Sequence, residues 1–176
     1  MKQRALFLDR DGTLIEHIPY LHRTEDVRLL MPVVAFVKAY QERGYLPIMV
    51  TNQSGIARGM FDEETVIRIN AYICALLAKE GVHIAACYYC PHHPTKAIIQ
   101  AYAIACLCRK PLAGMLLQAA SEFDIDLNQS IMIGDMPSDL EAGRAAGCQA
   151  IDVSALQADP LILQAATATA FFDQKQ

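Results

Sequence analysis

A chain of 176 residues with 53% hydrophobic and 19% charged residues has the length of one compact domain and the apolar content to build its core, which excludes disorder along most of its length. A net charge of -4 gives no electrostatic reason to bind nucleic acid or an anionic membrane surface. The longest apolar run, Ala101 to Cys108, has eight residues against the ~18 needed to cross a bilayer, and the apolar stretch after Met1 to Arg4 is only Ala5 to Leu8, short for a secretory signal. A cytoplasmic location is therefore expected, where the six cysteines would be free thiols or metal ligands rather than a disulfide framework.

Ala5 to Leu8 reads as a buried parallel strand that delivers Asp9, Asp11 and Gly12 to a sheet edge. From Pro32 to Arg43 apolar residues at Val33, Phe36, Val37 and Tyr40 mark one face of a helix stopped by Gly44. Leu46 to Val50 is a second strand ending in Thr51-Asn52-Gln53-Ser54-Gly55, and Asp62-Glu63-Glu64 heads a helix running to about Lys79, where acidic residues complement the helix dipole. His83 to Tyr89 is strand-like, and Cys90 to Lys110, crowded with Pro, His and Cys, is an elaborated loop. A helix from Pro111 to Phe123, a strand from Ser130 to Ile133, a helix from Ser138 to Ala146 closed by Gly147, and a strand from Cys148 to Val153 follow. A terminal helix from Ala155 to Ala166 and a small edge strand from Thr169 to Phe172 complete the reading. This alternation predicts an α/β fold, a doubly wound parallel sheet with helices on both faces, as a single domain over residues 1–176.

Ligands of such sheets bind beyond the carboxyl ends of the strands, which here carry Asp9 and Asp11, Thr51 and Asn52, and Asp135. Three carboxylates on neighbouring strand ends repel one another unless a hard divalent cation sits between them, and oxygen ligands with an open face suit magnesium, which in turn suits phosphate. Two carboxyl groups two residues apart, with Gly12 permitting a tight turn, let one attack while the other moves protons.

Asp9-Arg-Asp-Gly-Thr-Leu14 resembles the first motif of the haloacid dehalogenase-like phosphohydrolases. Thr51 in VTNQSG matches the second motif, Lys110 in CRKP the third and Asp135 in IGDMPSD the fourth, so the resemblance runs in order from about Ala5 to Gly147. It implies Asp9 as the nucleophile that forms an aspartyl phosphate and Asp11 as general acid and base. It implies Thr51 and Lys110 as ligands of the phosphoryl oxygens, and Asp9, the Asp11 carbonyl and Asp135 as holders of magnesium, with Asp139 either an outer partner of that ion or a solvated residue. Lys110 is also expected at a helix start, where the dipole favours anions.

A second metal site is suggested by Cys90-Pro-His92 and Cys106-Leu-Cys108, a set of three thiolates and an imidazole that suits structural tetrahedral zinc and leaves no open position. Cys74, Cys87 and Cys148 lie in apolar contexts and read as core, and His93 is either a surface residue or a substitute ligand for His92. CPHHP followed by CxCRKP resembles the zinc-bearing heptose bisphosphate and histidinol phosphate phosphatases. Thirteen residues between His92 and Cys106 match the heptose branch. That resemblance implies removal of the 7-phosphate of D-glycero-D-manno-heptose 1,7-bisphosphate, in the synthesis of ADP-heptose for lipopolysaccharide, by an enzyme with little room for a cap domain. His17, Tyr20, Asn52, Gln53, Ser54 and Arg109 are the candidates for contact with the sugar and its second phosphate, Arg109 through its fork of donors. The chain departs from the usual pattern at Met136, where a basic residue is common, and at Ala113, where a proline is. The expected partner is a small phosphorylated sugar acted on by a monomer. A histidinol phosphate or other sugar phosphate phosphatase, and a non-catalytic metal-binding regulatory module, stand as the alternatives.

Overall fold

The computed structural model describes residues 2–158. Five parallel strands, β1 (Arg4–Leu8), β2 (Tyr45–Asn52), β3 (Ala86–Cys90), β4 (Ile131–Gly134) and β5 (Gln149–Asp152), form one sheet in the order β3-β2-β1-β4-β5. The chain first builds outward from β1 to β3 and then returns to the other side of β1. The crevice of such a sheet therefore lies between β1 and β4, at their carboxyl ends.

The helices α1 (Met31–Glu42), α2 (Glu63–Lys79), α3 (Gly114–Glu122), α4 (Pro137–Ala146) and α5 (Val153–Ala158) fill both faces. Strand alternation decides which face each side chain serves. Leu6, Leu8, Met49, Ile131 and Ile133 pack on one face with Phe36 and Val37 of α1, Ile69 and Ile73 of α2 and Leu156 of α5. Ala5, Phe7, Ile48, Val50 and Met132 pack on the other with Met115 and Leu116 of α3 and Ala142 of α4. Ala5 to Leu8 of β1 are buried on both faces of the sheet, so its end is a rigid place to mount a side chain.

Among the described residues no cap domain is inserted. Asp62 caps α2 by accepting from the Thr65 N–H at 2.8 Å, which is why that helix starts at the predicted place. Three element starts differ from the sequence reading by two residues or more. The third strand begins at Ala86 rather than His83, because the His83 N–H is taken by the Gln41 side chain instead of a strand neighbour. The third helix begins at Gly114 rather than Pro111, because the Gly114 N–H turns back to the Leu107 carbonyl and Leu112 to that of Arg109, making 109–113 a turn. Lys110 therefore does not stand at a helix start, and the expected helix dipole does not act on it from α3. The last helix begins at Val153 rather than Ala155; its remainder and the strand expected over Thr169 to Phe172 lie outside the described residues.

Gly134 ends β4 where Asp139 folds back over it, and a Cβ there would overlap the Cβ of Asp139. Gly134→Ala is expected to destabilise the protein by about 2 kcal/mol through this overpacking. Urea unfolding would show a lower midpoint; an unchanged midpoint would contradict the close packing of Asp139 on the strand end.

Candidate active site

The ends of β1, β2 and β4 meet at a cavity of about 430 Å³. Asp9, Asp11, Thr51, Lys110 and Asp135 line it, as do His17, Tyr20, Asn52, Gln53, Ser54 and Arg109, so the structure brings all the sequence-predicted catalytic and substrate residues to one place. Asp139 lines it too.

Lys110 is the centre of the arrangement. Its side chain is buried, and its ammonium donates to Asp9 Oδ1 at 2.6 Å, Asp139 Oδ1 at 2.7 Å and the Val50 carbonyl at 2.8 Å. Three N–H donors thus meet three acceptors. Burial alone would pull the Lys110 pKa down, but Asp9 and Asp139 together outweigh it and hold the group above its ordinary value. The Asn52 side-chain amide clasps the Lys110 main chain at both ends, donating to its carbonyl at 3.0 Å and accepting from its N–H at 3.1 Å. Asn52 lines the cavity, yet its polar atoms are engaged in placing Lys110.

Asp11 is held from two sides. Arg10 Nε and Nη2 donate to its two carboxylate oxygens at 3.0 and 3.1 Å, and Gln53 Nε2 donates to Oδ2 at 2.8 Å and to Thr51 Oγ1 at 2.9 Å. Gln53 is thereby a brace between Asp11 and Thr51. Thr51 retains its own hydroxyl hydrogen for an anionic oxygen. Arg10 is almost fully buried and is anchored by Asn70 of α2 at 3.0 Å, a pairing that sequence reasoning missed. An arginine between two aspartates is a usable signal, but Asn70 lies sixty residues away and only the fold supplies it.

Carboxylate oxygens of Asp9, Asp135 and Asp139 lie within 4.8 Å of one another. Asp139 is committed elsewhere, since it also accepts from the Met136 N–H at 3.0 Å. Burial raises its pKa, as does the charge of Asp9. Asp135 is half-buried, with one contact from Thr13 Oγ1 at 3.4 Å, and burial followed by the charge of Asp9 pushes its pKa up to about 6. Hard oxygen donors crowded against their own repulsion fit a divalent cation such as magnesium. Gly12, at φ 83°, lies so close to Asp135 that any Cβ there would strike its carboxylate.

The Cys/His set converges as well. Cys106 Sγ lies 3.5 Å from Cys90 Sγ and 3.3 Å from Cys108 Sγ, and His92 Nδ1 lies 3.7 and 3.5 Å from the sulfurs of Cys90 and Cys108. Tetrahedral zinc with Zn–S near 2.3 Å and Zn–N near 2.0 Å has ligand-to-ligand edges of about 3.5 to 3.8 Å, so the donor set fits that ion. The loop is docked on α2 by Glu63, which accepts from the hydroxyls of Tyr89 and Tyr102 at 2.6 Å each. These two bonds, that of Tyr102 first, lower the Glu63 pKa. Arg109 Nη1 donates to the His92 carbonyl at 3.2 Å, tying the cavity wall to the loop. His93 is partly buried and accepts from the Thr95 and Lys96 N–H groups; burial first, and then the charges of Arg109 and Arg58, lower its pKa. Of the other cysteines, Cys148 is buried, while Cys74 and Cys87 are partly buried beside the core with sulfurs 3.5 Å apart.

Residues 107–170 match the HAD-hydrolase-like family model. The chain is 42% identical over 142 residues, 81% of its length and 75% of the relative's, to the D-glycero-beta-D-manno-heptose-1,7-bisphosphate 7-phosphatase of Yersinia pestis. The chain belongs to the haloacid dehalogenase-like hydrolases. It is also 41% identical over 147 residues, 84% of its length and 77% of the relative's, to the D-glycero-alpha-D-manno-heptose-1,7-bisphosphate 7-phosphatase of Burkholderia mallei. A solved D,D-heptose 1,7-bisphosphate phosphatase from B. bronchiseptica, complexed with magnesium and phosphate, superimposes with a TM-score of 0.73 at 31% identity, covering 84% of this chain and 79% of that one. Membership agrees with the order of strand-end residues in the cavity, and the relatives are phosphatases. No helix among the described residues is long and apolar enough to cross a membrane.

Two outcomes follow from this geometry. Asp135 binds its proton more tightly folded than unfolded, so stability of the metal-free protein falls as pH rises from about 4 through 6. Asp135→Asn should then raise the unfolding free energy of metal-free protein at pH 7.5 by about 1 kcal/mol, after discounting for partial exposure, while lowering kcat at least about a hundredfold. Equal stability of the two proteins in chelator would contradict the crowding of carboxylates. Cys106→Ser should remove bound zinc, read by metal analysis, and lower the melting temperature by several degrees, on the order of 2 kcal/mol or more. Wild-type zinc content with an unaltered melting curve would show that Cys106 is not a ligand.

Proposed function

We propose that this chain is a magnesium-dependent phosphomonoesterase that removes the 7-phosphate of D-glycero-D-manno-heptose 1,7-bisphosphate and leaves the 1-phosphate, a step toward ADP-heptose. The observation that carries the reading is the buried bridge from Lys110 to Asp9 and Asp139 at the floor of a cavity that Asp11, Thr51 and Asp135 also line, in a chain 42% and 41% identical to named heptose bisphosphatases.

Asp9 directly follows the buried run Ala5 to Leu8 of β1, which holds its position, and it is the nucleophile. A carboxylate oxygen forms a bond to phosphorus while the bond from phosphorus to the sugar oxygen breaks. Asp11, steered by Arg10 and Gln53, gives a proton to the departing alkoxide, so the sugar leaves as an alcohol. Water then attacks the aspartyl phosphate, Asp11 takes back a proton, and inorganic phosphate is released with Asp9 restored. Lys110 offsets the charge of Asp9 and of the phosphoryl group beside it, and Thr51 donates its hydroxyl hydrogen to a phosphoryl oxygen.

Magnesium would be held by the Asp9 and Asp135 carboxylates with the Asp11 carbonyl, and when bound it supplies positive charge to the phosphoryl oxygens. Zinc would be held by Cys90, His92, Cys106 and Cys108 with no open position, which makes its task structural. The substrate partner is a small phosphorylated sugar, and with no cap among the described residues its selection falls to the loops that carry His17, Tyr20, Ser54 and Arg109. Action as a cytoplasmic monomer is part of the same proposal.

Asp9→Asn should retain the fold and lose turnover by at least about a thousandfold, because an amide neither attacks phosphorus nor carries the charge that binds metal. Phosphate release from heptose bisphosphate, histidinol phosphate and hexose monophosphates, each with magnesium, checks both variant and substrate. Retained turnover in Asp9→Asn would overturn the nucleophile; a preference for histidinol phosphate would overturn the substrate; and no release from any of them would favour a binding module.

A further inference from the structure

Arg58 was not singled out by its sequence context, where it stands between Ala57 and Gly59 in the turn after β2. It lines the same cavity as Arg109, and no salt bridge reaches either arginine among the described residues. Its Nε is buried without a hydrogen-bond partner among those residues, and Nη1 donates to the Tyr20 hydroxyl at 3.0 Å. The edge left unpaired is the side-on fork of Nε–H and Nη2–H. Those two parallel donors match two oxygens of a phosphate or carboxylate. A buried charged donor left unpaired is costly, a penalty that an incoming anion would remove.

The position is prepared from several directions. Tyr20, which holds Nη1, adopts a left-handed backbone with φ 54°, a strained conformation for a tyrosine, at the cavity. The Ala57 carbonyl, one residue before Arg58, accepts from the N–H groups of Ile98 and Ile99 at 2.7 and 3.0 Å. The Cys/His loop therefore pins the turn bearing Arg58 as well as the Arg109 guanidinium, which it holds through His92. Lys110 has all three donors engaged at the reacting end, so it offers nothing to a second anion without giving one up. A substrate with two phosphates needs separate cations for the one that stays.

We propose that Arg58, tethered by Tyr20, is a specificity-determining residue whose free guanidinium fork binds the phosphate that is not hydrolysed, alongside Arg109. This rests on the bisphosphate reading above. Tyr20 acts through Arg58 and is a positioning residue.

The test compares wild type, Arg58→Gln, Arg58→Lys and Tyr20→Phe, using heptose 1,7-bisphosphate and mannose 6-phosphate as substrates and glucose 1,6-bisphosphate and inorganic phosphate as inhibitors. Arg58→Gln is expected to lower the ratio of kcat/KM for the bisphosphate to that for the monophosphate by about thirtyfold, the loss lying in KM. It should also raise the inhibition constant of glucose 1,6-bisphosphate about tenfold relative to that of inorganic phosphate. Arg58→Lys should recover part of each effect by charge alone, and Tyr20→Phe should show a smaller loss in the same direction. Parallel loss on both substrates, or unchanged ratios, would overturn the assignment. A wild-type enzyme with no preference for the bisphosphate would overturn the substrate reading instead, and the inhibitor ratio would still decide whether Arg58 holds a second phosphate.

Discussion

A buried ammonium shared by two carboxylates is the interaction on which the site depends. Taking Lys110 out of water costs several kcal/mol, and no single exposed ion pair offsets that. Asp9, Asp139 and the Val50 carbonyl do so together, by consuming every donor the group has. The bridge links the end of β1 to the first turn of α4 across the crevice between β1 and β4, and it fixes Asp9 from one side. Asp135 is left as the carboxylate with spare lone pairs and a raised pKa, which makes it the natural second arm for a cation.

The Cys/His loop has a place in the same scheme. It leaves the end of β3, is fastened to α2 through Glu63, and returns as the turn that presents Arg109 and Lys110. Asn52 at the end of β2 then seizes the Lys110 main chain. Two rigid supports, strand and loop, thus meet at one residue. A loop of about twenty residues whose regular structure is a single 3-10 turn, Gln100–Tyr102, would ordinarily be too loose for this, and the fourfold donor set at its base is the physical remedy.

Much of this was legible before any coordinates. Short apolar runs ending in Asp9, Thr51 and Asp135 marked strand ends because fully buried parallel strands are apolar throughout and turn polar only at the edge. The spacing of Cys90, His92, Cys106 and Cys108 announced their convergence, which the structure displays. What could not be read were pairings between distant residues: Arg10 with Asn70, Asp139 with Lys110, Arg58 with Tyr20. Asn52 and Gln53 were legible as site residues, but their amides brace Lys110, Thr51 and Asp11, which sequence order does not disclose. The start of α3 is not legible in the sequence because Pro111 suits a first helical turn equally well, and only the bond from Gly114 to Leu107 decides against it.

The most direct measurement is calorimetric titration of magnesium into metal-free wild-type, Asp135→Asn and Asp139→Asn proteins at one pH. If Asp139 serves Lys110 rather than the cation, Asp139→Asn binds magnesium with about tenfold weaker but saturable affinity, while Asp135→Asn shows no saturable binding. Equal losses in the two variants would contradict the division of labour between these carboxylates and, with it, the role of the Lys110 bridge.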